Sequence, residues 1–359
     1  MESTSSQASS QIEPLGLDMK IGFGTFSGFE YNAIEDKKER QKKAKESIIC
    51  ALQTYYRLYD MCISYGDVEN IFQKRVDVNE IMGDALIESK AVRENIFLIG
   101  KGDHYDDIEK TIRDIFKCDP AEVGTGKFYL DMFMWHHARN FTNDKDFLFL
   151  ESIFEAKKQG LIRHVGLSGI YIQSLKIIKD SQPHLLPYAI EIEVHLYCQE
   201  EETVAFCKEN NIKVIAQSPL GYNWHEALAH DIIVTQMARK YRISPYTLLL
   251  AYTVSRDIIP IPCSSNESHI RENFSCLDVS LSPEDLVILS NCNTNATITL
   301  TSESAKERAL AVNNETKCGV DSSSGSGIAS EGISSSSFAI KRQRRNDGSS
   351  SSSSGGAGI

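Results

Sequence analysis

An acid and a phenol lie close together in the sequence, in a setting that suits proton transfer. Asp60 directly follows the apolar residues Leu58 and Tyr59, and Tyr65 lies five residues further along the chain. A carboxylate at the end of a buried strand is unfavourable unless it meets a cation or a donor. If Tyr65 shares that partner, its phenol, with an ordinary pKa of about 10, can donate a proton at neutral pH. Taken alone, the segment is more typical of a turn-capping Asp and a surface Tyr.

The rest of the sequence predicts strands that end in similar side chains. Apolar runs of strand length occupy residues 19–25, 58–59, 96–99, 129–134, 164–167, 189–192, 213–216 and 258–261. Helical patterns alternate with them and cover residues 36–55, 79–89, 105–116, 144–159, 172–180, 200–210, 232–240 and 267–274. The residues just past the strands are small, polar or titratable: Gly24, Thr25, Asp60, Lys101, His136, Ser168, Glu191, Glu193, Gln217, Ser218 and Ser264.

Eight strand–helix pairs predict an α/β fold, a (β/α)8 TIM barrel with an N-terminal strand or hairpin. Such a barrel carries its active site at the carboxyl ends of the strands, which is where the polar residues fall. A doubly wound sheet is the alternative.

The composition favours a globular protein of a reducing compartment. The chain has 359 residues, of which 41% are hydrophobic, and this is ordinary for a protein with a full core. Nine cysteines without paired spacing predict reduced thiols and a cytoplasmic location. Neither a membrane-spanning run nor a signal peptide is recognisable. The net charge of −11 argues against a nucleic-acid partner.

Changes in composition divide the chain into three parts. Residues 1–14 are rich in Ser and Gln and are expected to be disordered, and residues 15–300 carry the predicted barrel. Residues 301–359 form a low-complexity tail, rich in Ser and Gly, that is expected to be flexible. In this tail, Lys341, Arg342, Arg344 and Arg345 resemble a nuclear-localisation signal, but matches of this length are common by chance.

Taken in order, these segments resemble the aldo-keto reductase family. The segments that carry the resemblance are residues 21–26, 56–65, 96–101, 131–136, 159–168, 217–221 and 272–273. The match runs from about Leu17 to Val287, and its specificity comes from the ordered set, because no single segment is distinctive. The resemblance implies the barrel fold and the reduction of a carbonyl group with a nicotinamide cofactor.

The resemblance also implies a catalytic tetrad of Asp60, Tyr65, Lys101 and His136. Tyr65 would protonate the carbonyl oxygen as the reduced nicotinamide delivers hydride. Lys101, held by Asp60, would bring the pKa of Tyr65 toward the working pH. His136 would orient the carbonyl through a hydrogen bond. The joint occurrence of the four favours these roles over a surface lysine and a core histidine.

The cofactor residues implied by the resemblance depart in part from the family pattern. They are Gly24, Thr25, Ser168, Gly169, Glu191, Gln217, Ser218, Leu220, Cys263, Ser264, His269, Glu272 and Asn273. Gly169, Glu191 and Gln217 replace the family's Asn, Gln and stacking Tyr at the nicotinamide. Cys263 and His269 replace a Lys and an Arg at the adenosine 2′-phosphate, which weakens the argument for NADP(H) over NAD(H). NADP(H) stays the favoured cofactor, because some branches of the family also carry His there.

No metal site is predicted, although two histidines are adjacent. His136 and His137 follow a predicted strand, and adjacent strand residues point to opposite faces, so the two are not expected to bind one ion. The spacing of the other His and Cys residues does not resemble a zinc site either.

Two functions remain open. The first is an NADPH-dependent reductase of aldehydes or ketones, with NADH as a possible donor and a small-molecule carbonyl compound as its partner. The second is a catalytically weak cofactor-binding protein with a redox-sensing or regulatory role, suggested by Gly169, Glu191 and Gln217. The sequence leaves open the carbonyl substrate, the oligomeric state and the physiological direction of the reaction.

Overall fold

Eight parallel strands in sequential order form the centre of the molecule. They are β1 (Phe23–Gly24), β2 (Leu58–Asp60), β3 (Phe97–Gly102), β4 (Leu130–Trp135), β5 (Ile162–Ser168), β6 (Ala189–Glu193), β7 (Lys213–Gln217) and β8 (Ile259–Pro260). The amides of Gly22 and Gly24 donate to the carbonyl oxygens of Pro260 and Pro262 at 2.9 and 3.0 Å. The first and last strands are therefore joined, and the predicted (β/α)8 barrel is confirmed.

The structure is a computed structural model that describes residues 16–26, 36–62, 78–139, 141 and 143–297. Tyr65, the Ser/Gly-rich tail and the basic cluster from Lys341 to Arg345 lie outside the described residues. Residues 16–26 contribute β1 and contain no hairpin. Among the described helices, none has the length and apolar character that crossing a membrane requires.

One or more helices follow each strand along the chain. They are α1 (Lys37–Gln53), α2 (Val78–Ser89), α3 (Asp106–Phe116), α4 (Asp144–Lys158), α5 (Ile172–Ser181), α6 (Glu201–Glu209), α7 (His225–Ala229), α8 (Ile232–Tyr241), α9 (Pro245–Ser255), α10 (Glu267–Phe274) and α11 (Pro283–Ser290). Several begin at a side chain that accepts from a first-turn amide, as Asp36 does from Glu39 at 2.8 Å and Asn266 from Ser268 at 2.8 Å. These caps satisfy amides that have no partner within the helix.

The eight predicted helices are present, each ending within two residues of its predicted bounds. Three further helices, α7, α9 and α11, were not predicted. In α9, every residue from Thr247 to Thr253 is buried. A helix that is apolar on all sides has no polar stripe, so its sequence lacks the 3.6-residue period.

Alternation along the strands determines which side chains enter the barrel. Buried apolar residues of alternate positions pack together in the interior, and these include Leu58, Phe97, Ile99, Met132, Met134, Ala189 and Ile215. The residues between them, such as Tyr59, Leu98 and Phe133, pack in the separate layer that includes helix side chains. Because side chains alternate along a strand, residues 60, 101 and 191 continue the inward-facing positions at the carboxyl ends.

Candidate functional site

Lys101 lies at the carboxyl end of the barrel between two carboxylates. Its ammonium Nζ donates to Asp60 Oδ2 at 2.8 Å and to Glu191 Oε1 and Oε2 at 2.7 and 2.9 Å. The Lys101 side chain is 0% exposed, and both carboxylates are 2% exposed. We call these three residues the lysine triad. They come from β3, β2 and β6, and their contacts therefore cross the barrel interior.

The lysine triad has one more acid than base. Burial, followed by the neighbouring charge of Glu191, raises the pKa of Asp60 to about 8, although Lys101 acts in the opposite direction. Among the described residues, Asp60 Oδ1 has no hydrogen-bond partner. The triad therefore shares one ammonium between two buried carboxyl groups, and burial favours the protonated form of Asp60.

His136 lies one residue beyond the end of β4, beside the same end of the barrel. Its amide donates to the Gly102 carbonyl at 3.0 Å, and its Nδ1 lies 3.2 Å from Cys62 Sγ. Burial lowers the pKa of His136 to about 4, with further lowering from the charges of Lys101 and His137. The imidazole is therefore neutral at pH 7. The Cys62 thiol also lies 3.5 Å from the Lys101 carbonyl oxygen, to which it donates, so Cys62 connects the loop that carries His136 to the end of β3.

Ser168, Gly169 and Glu191 are brought together at the ends of β5 and β6. Ser168 Oγ lies 3.4 Å from Glu191 Oε1, and the Gly169 amide donates to the Glu191 carbonyl oxygen at 2.8 Å. Gly169 has a φ of +70°, in the left-handed region that favours glycine. Glycine adopts this conformation without a steric cost, so the backbone geometry is compatible with the departure from the family pattern.

The other predicted cofactor residues lie at strand ends and in the segment around α10. Thr25, at the end of β1, donates through Oγ1 to the Asp60 carbonyl at 2.7 Å, and Gly24 precedes it. Gln217 ends β7 with an exposed side chain, and Ser218 and Leu220 follow it. The set around α10 comprises Cys263, Ser264, His269, Glu272 and Asn273, of which Cys263 and His269 are exposed and Ser264 and Asn273 are buried.

Two features of the site were missed by sequence reasoning. Cys62 contacts His136, and its position was detectable because it continues the alternation through Leu58 and Asp60. The argument that separated His136 from His137 was wrong. β4 ends at Trp135, so strand alternation does not apply to the two histidines, and their ring centroids are 4.1 Å apart.

A closed eight-stranded barrel with buried ionisable groups at the carboxyl ends of its strands defines an α/β barrel of the kind that carries enzyme active sites. Residues 20–294 match the model of the aldo/keto reductase family. The chain belongs to this family. Membership supports an oxidoreductase that acts on carbonyl groups.

Characterised relatives match most of their own length. Aldo-keto reductase family 1 member A1 of Sus scrofa is 27% identical over 306 residues, covering 77% of this chain and 86% of the relative. Aldo-keto reductase family 1 member C18 of Rattus norvegicus is 23% identical over 301 residues, covering 77% and 88%.

Solved structures share the fold at low sequence identity. An aldo-keto reductase enzyme from a Medee basin deep-sea metagenome library superposes with a TM-score of 0.63 at 22% identity, covering 79% of this chain and 95% of that one. Aldose reductase from Giardia lamblia gives a TM-score of 0.60 at 22% identity, covering 78% and 95%.

Proposed function

We propose that the protein is a nicotinamide-dependent reductase of aldehydes or ketones, with Asp60, Tyr65, Lys101 and His136 as its catalytic residues. The observation that carries the proposal is the fully buried ammonium of Lys101, bonded to Asp60 at 2.8 Å. A buried lysine of this kind is a typical feature of a site that must change the pKa of a neighbour. Family membership supports the same reaction class.

The four proposed catalytic residues have separate roles in orienting the carbonyl compound and in supplying the proton. Neutral His136 donates from Nε2 to the carbonyl oxygen and so orients the carbonyl compound. Tyr65, which lies outside the described residues, donates the proton to that oxygen. Lys101 stabilises the phenolate that remains, and Asp60 keeps the ammonium in place. A bound reduced nicotinamide supplies the hydride.

The polar groups beside the lysine triad fit a nicotinamide amide. Ser168 offers a hydroxyl, and the Glu191 carboxylate beside it offers oxygen lone pairs that can accept from an amide N–H. Glu191 therefore serves the amide as an acceptor, in the place of the family's Gln. Gly24, Thr25, Gln217, Ser218 and Leu220 complete the proposed set at this end of the barrel.

We favour NADP(H) over NAD(H), because some branches of the family carry His at the phosphate position that His269 occupies here, and His269 is exposed on α10. His269→Ala should weaken NADPH binding several-fold and leave NADH binding unchanged, as measured by titrating each cofactor against protein fluorescence. Equal effects on the binding of the two cofactors would show that His269 does not contact the 2′-phosphate.

A screen of small aldehydes and ketones with NADPH and NADH, followed by the loss of nicotinamide absorbance, tests the proposal. We expect turnover that Tyr65→Phe lowers at least about 100-fold, in line with the size of general acid catalysis. Tyr171→Phe, at an exposed tyrosine, is the matched control and should keep wild-type activity. Equal activity of wild type and Tyr65→Phe would contradict the proposed mechanism.

A second candidate is a cofactor-binding regulator with weak turnover. The observation that favours it is the double contact of Glu191 with Lys101, because a carboxylate that holds the ammonium competes with the tyrosine for it. Tight NADPH binding without turnover on any carbonyl compound would support this candidate. An increase in turnover in Glu191→Gln would show that Glu191 restrains catalysis.

A further inference from the structure

Three potential metal ligands converge just beyond β3 and β4. One ligand atom from each of Asp103, His136 and His137 lies within 4.8 Å of the other two. The two imidazole rings have centroids 4.1 Å apart and are tilted by 39°. We propose that these residues form a binding site for a divalent transition-metal ion of the Zn²⁺ type.

Backbone and side-chain contacts hold the ligands in position. Asp103 Oδ1 accepts from the His137 amide at 3.1 Å, and Asp103 Oδ2 lies 2.7 Å from His137 Nδ1. His136 is tied to the end of β3 through Gly102 and to Cys62 through its Nδ1. The site is therefore supported by two adjacent strands. These contacts restrict the positions of both imidazole rings.

The donor set suits zinc. Two imidazoles and one carboxylate are the protein ligands of several open zinc sites, in which a fourth position binds water or substrate. Ligand distances of about 2.0–2.2 Å in a tetrahedral site place the ligand atoms roughly 3.4 Å from one another. The present separations are at most 4.8 Å and exceed this distance by no more than about 1.4 Å. Rotation of His137 and Asp103, which are 52% and 35% exposed, can close that difference and leaves a path from solvent.

A simple surface ion pair does not account for the whole cluster. The Asp103–His137 contact alone would be such a pair, and exposed pairs add little to stability. It leaves out the partly buried imidazole of His136, whose ring centroid lies 4.1 Å from that of His137. A bound metal ion uses all three residues.

Metal binding would affect the proposed reductase through His136. A metal-ligating imidazole nitrogen cannot donate to a carbonyl oxygen, so Zn²⁺ would inhibit carbonyl reduction. This consequence rests on the proposed function, whereas metal binding itself does not.

Calorimetric titration of the full chain with ZnCl₂ tests the site independently of activity. We expect one ion per chain, with affinity reduced at least about tenfold in His137→Ala and in Asp103→Asn, the range seen when even outer-shell partners are removed. His104→Ala, at an exposed neighbouring histidine outside the cluster, is the matched control and should bind as wild type.

Comparison of the variants also separates this site from binding by cysteine thiols. Thermal denaturation of each variant without metal verifies folding, and the Zn²⁺-induced rise in melting temperature should disappear in His137→Ala and in the independent variant His137→Asn. Binding of equal affinity in wild type and in both His137 variants, or no binding in wild type, would overturn the proposal. If no carbonyl compound is reduced but the ion binds as expected, the proposed function fails and the metal site stands.

Discussion

Lys101 provides the cation that the two buried carboxyl groups of the lysine triad share. Removing it in Lys101→Met leaves Asp60 and Glu191 buried together without a cation. We expect the free energy of unfolding to fall by about 3–5 kcal/mol, as for other buried ion pairs that lose one partner. Urea denaturation of the purified variant measures this loss.

Lys20→Met is the control for the loss of a lysine as such. Lys20 pairs with Asp257 at 2.9 Å, but both side chains are mostly exposed, and we expect a change of about 0–1 kcal/mol. A loss below about 1 kcal/mol in Lys101→Met as well would mean that the triad does not depend on its cation.

Glu191 links the stability of the protein to pH through Asp60. The pKa of Asp60 is raised from its ordinary value of 3.8 to about 8, by burial first and by Glu191 next. A raised carboxyl pKa gives stability that is complete below pH 4 and is lost as pH rises toward 8. Glu191→Gln removes one cause, so the pKa of Asp60 falls and less stability is lost over this interval.

Urea denaturation at pH 5 and pH 8 measures this difference. The gap between the two unfolding free energies should be smaller in Glu191→Gln than in wild type, and Glu151→Gln, at an exposed acid of α4, should keep the wild-type gap. An unchanged gap in Glu191→Gln would exclude coupling between the two carboxyl groups.

At the scale of elements, α2 and α3 approach each other most closely at Gly83. A Cβ on this residue would overlap the carbonyl oxygen of Ile115. Gly83→Ala should therefore lower the unfolding free energy by about 1–3 kcal/mol, even though Ala is the better helix former. Ile87→Ala, at a position of α2 that is 71% exposed, should change it by less than about 0.5 kcal/mol. Thermal denaturation of the two variants measures both effects, and a stabilised Gly83→Ala would show that α3 can move away.

Sequence patterns predicted the helices that have one face toward the core and one face toward solvent. Amphipathic helices such as α3 have one buried and one exposed face, so the polar stripe is visible in the sequence. α9 was missed because it is buried on all sides, and α7 because five residues are too few to show a period. The strands were found from apolar runs, but β1 is much shorter than the predicted run of residues 19–25 because only Phe23 and Gly24 pair with β2.

The sequence predicted the site residues that directly follow a strand. It did not predict the contacts between residues that only the folded barrel brings together. Asp60 and Lys101 could be located because each follows an apolar run. The contact of Glu191 with Lys101 joins residues 90 positions apart, and its geometry depends on closure of the barrel. The proximity of His136 and His137 depends on where β4 ends, and strand ends are the least certain part of any pattern.

At the scale of the molecule, the lysine triad connects strands that do not neighbour one another. β6 is separated from β3 by two strands in the sheet, yet Glu191 and Lys101 meet across the interior. The strands that carry the triad are therefore curled around a common interior, and the bonds of Gly22 and Gly24 to the segment that contains β8 close this curl into a ring.

The barrel should fold without the residues that follow it. The family match ends at residue 294, and the last described helix, α11, ends at Ser290. Residues 301–359 are rich in Ser and Gly, and a segment of this composition has little apolar surface to bury. A chain shortened to residues 1–300 should keep the unfolding free energy of the full chain within about 0.5 kcal/mol, the size of changes at sites without buried contacts. Urea denaturation of the two chains side by side measures this, and a loss above about 2 kcal/mol would assign the tail a part in the stability of the barrel.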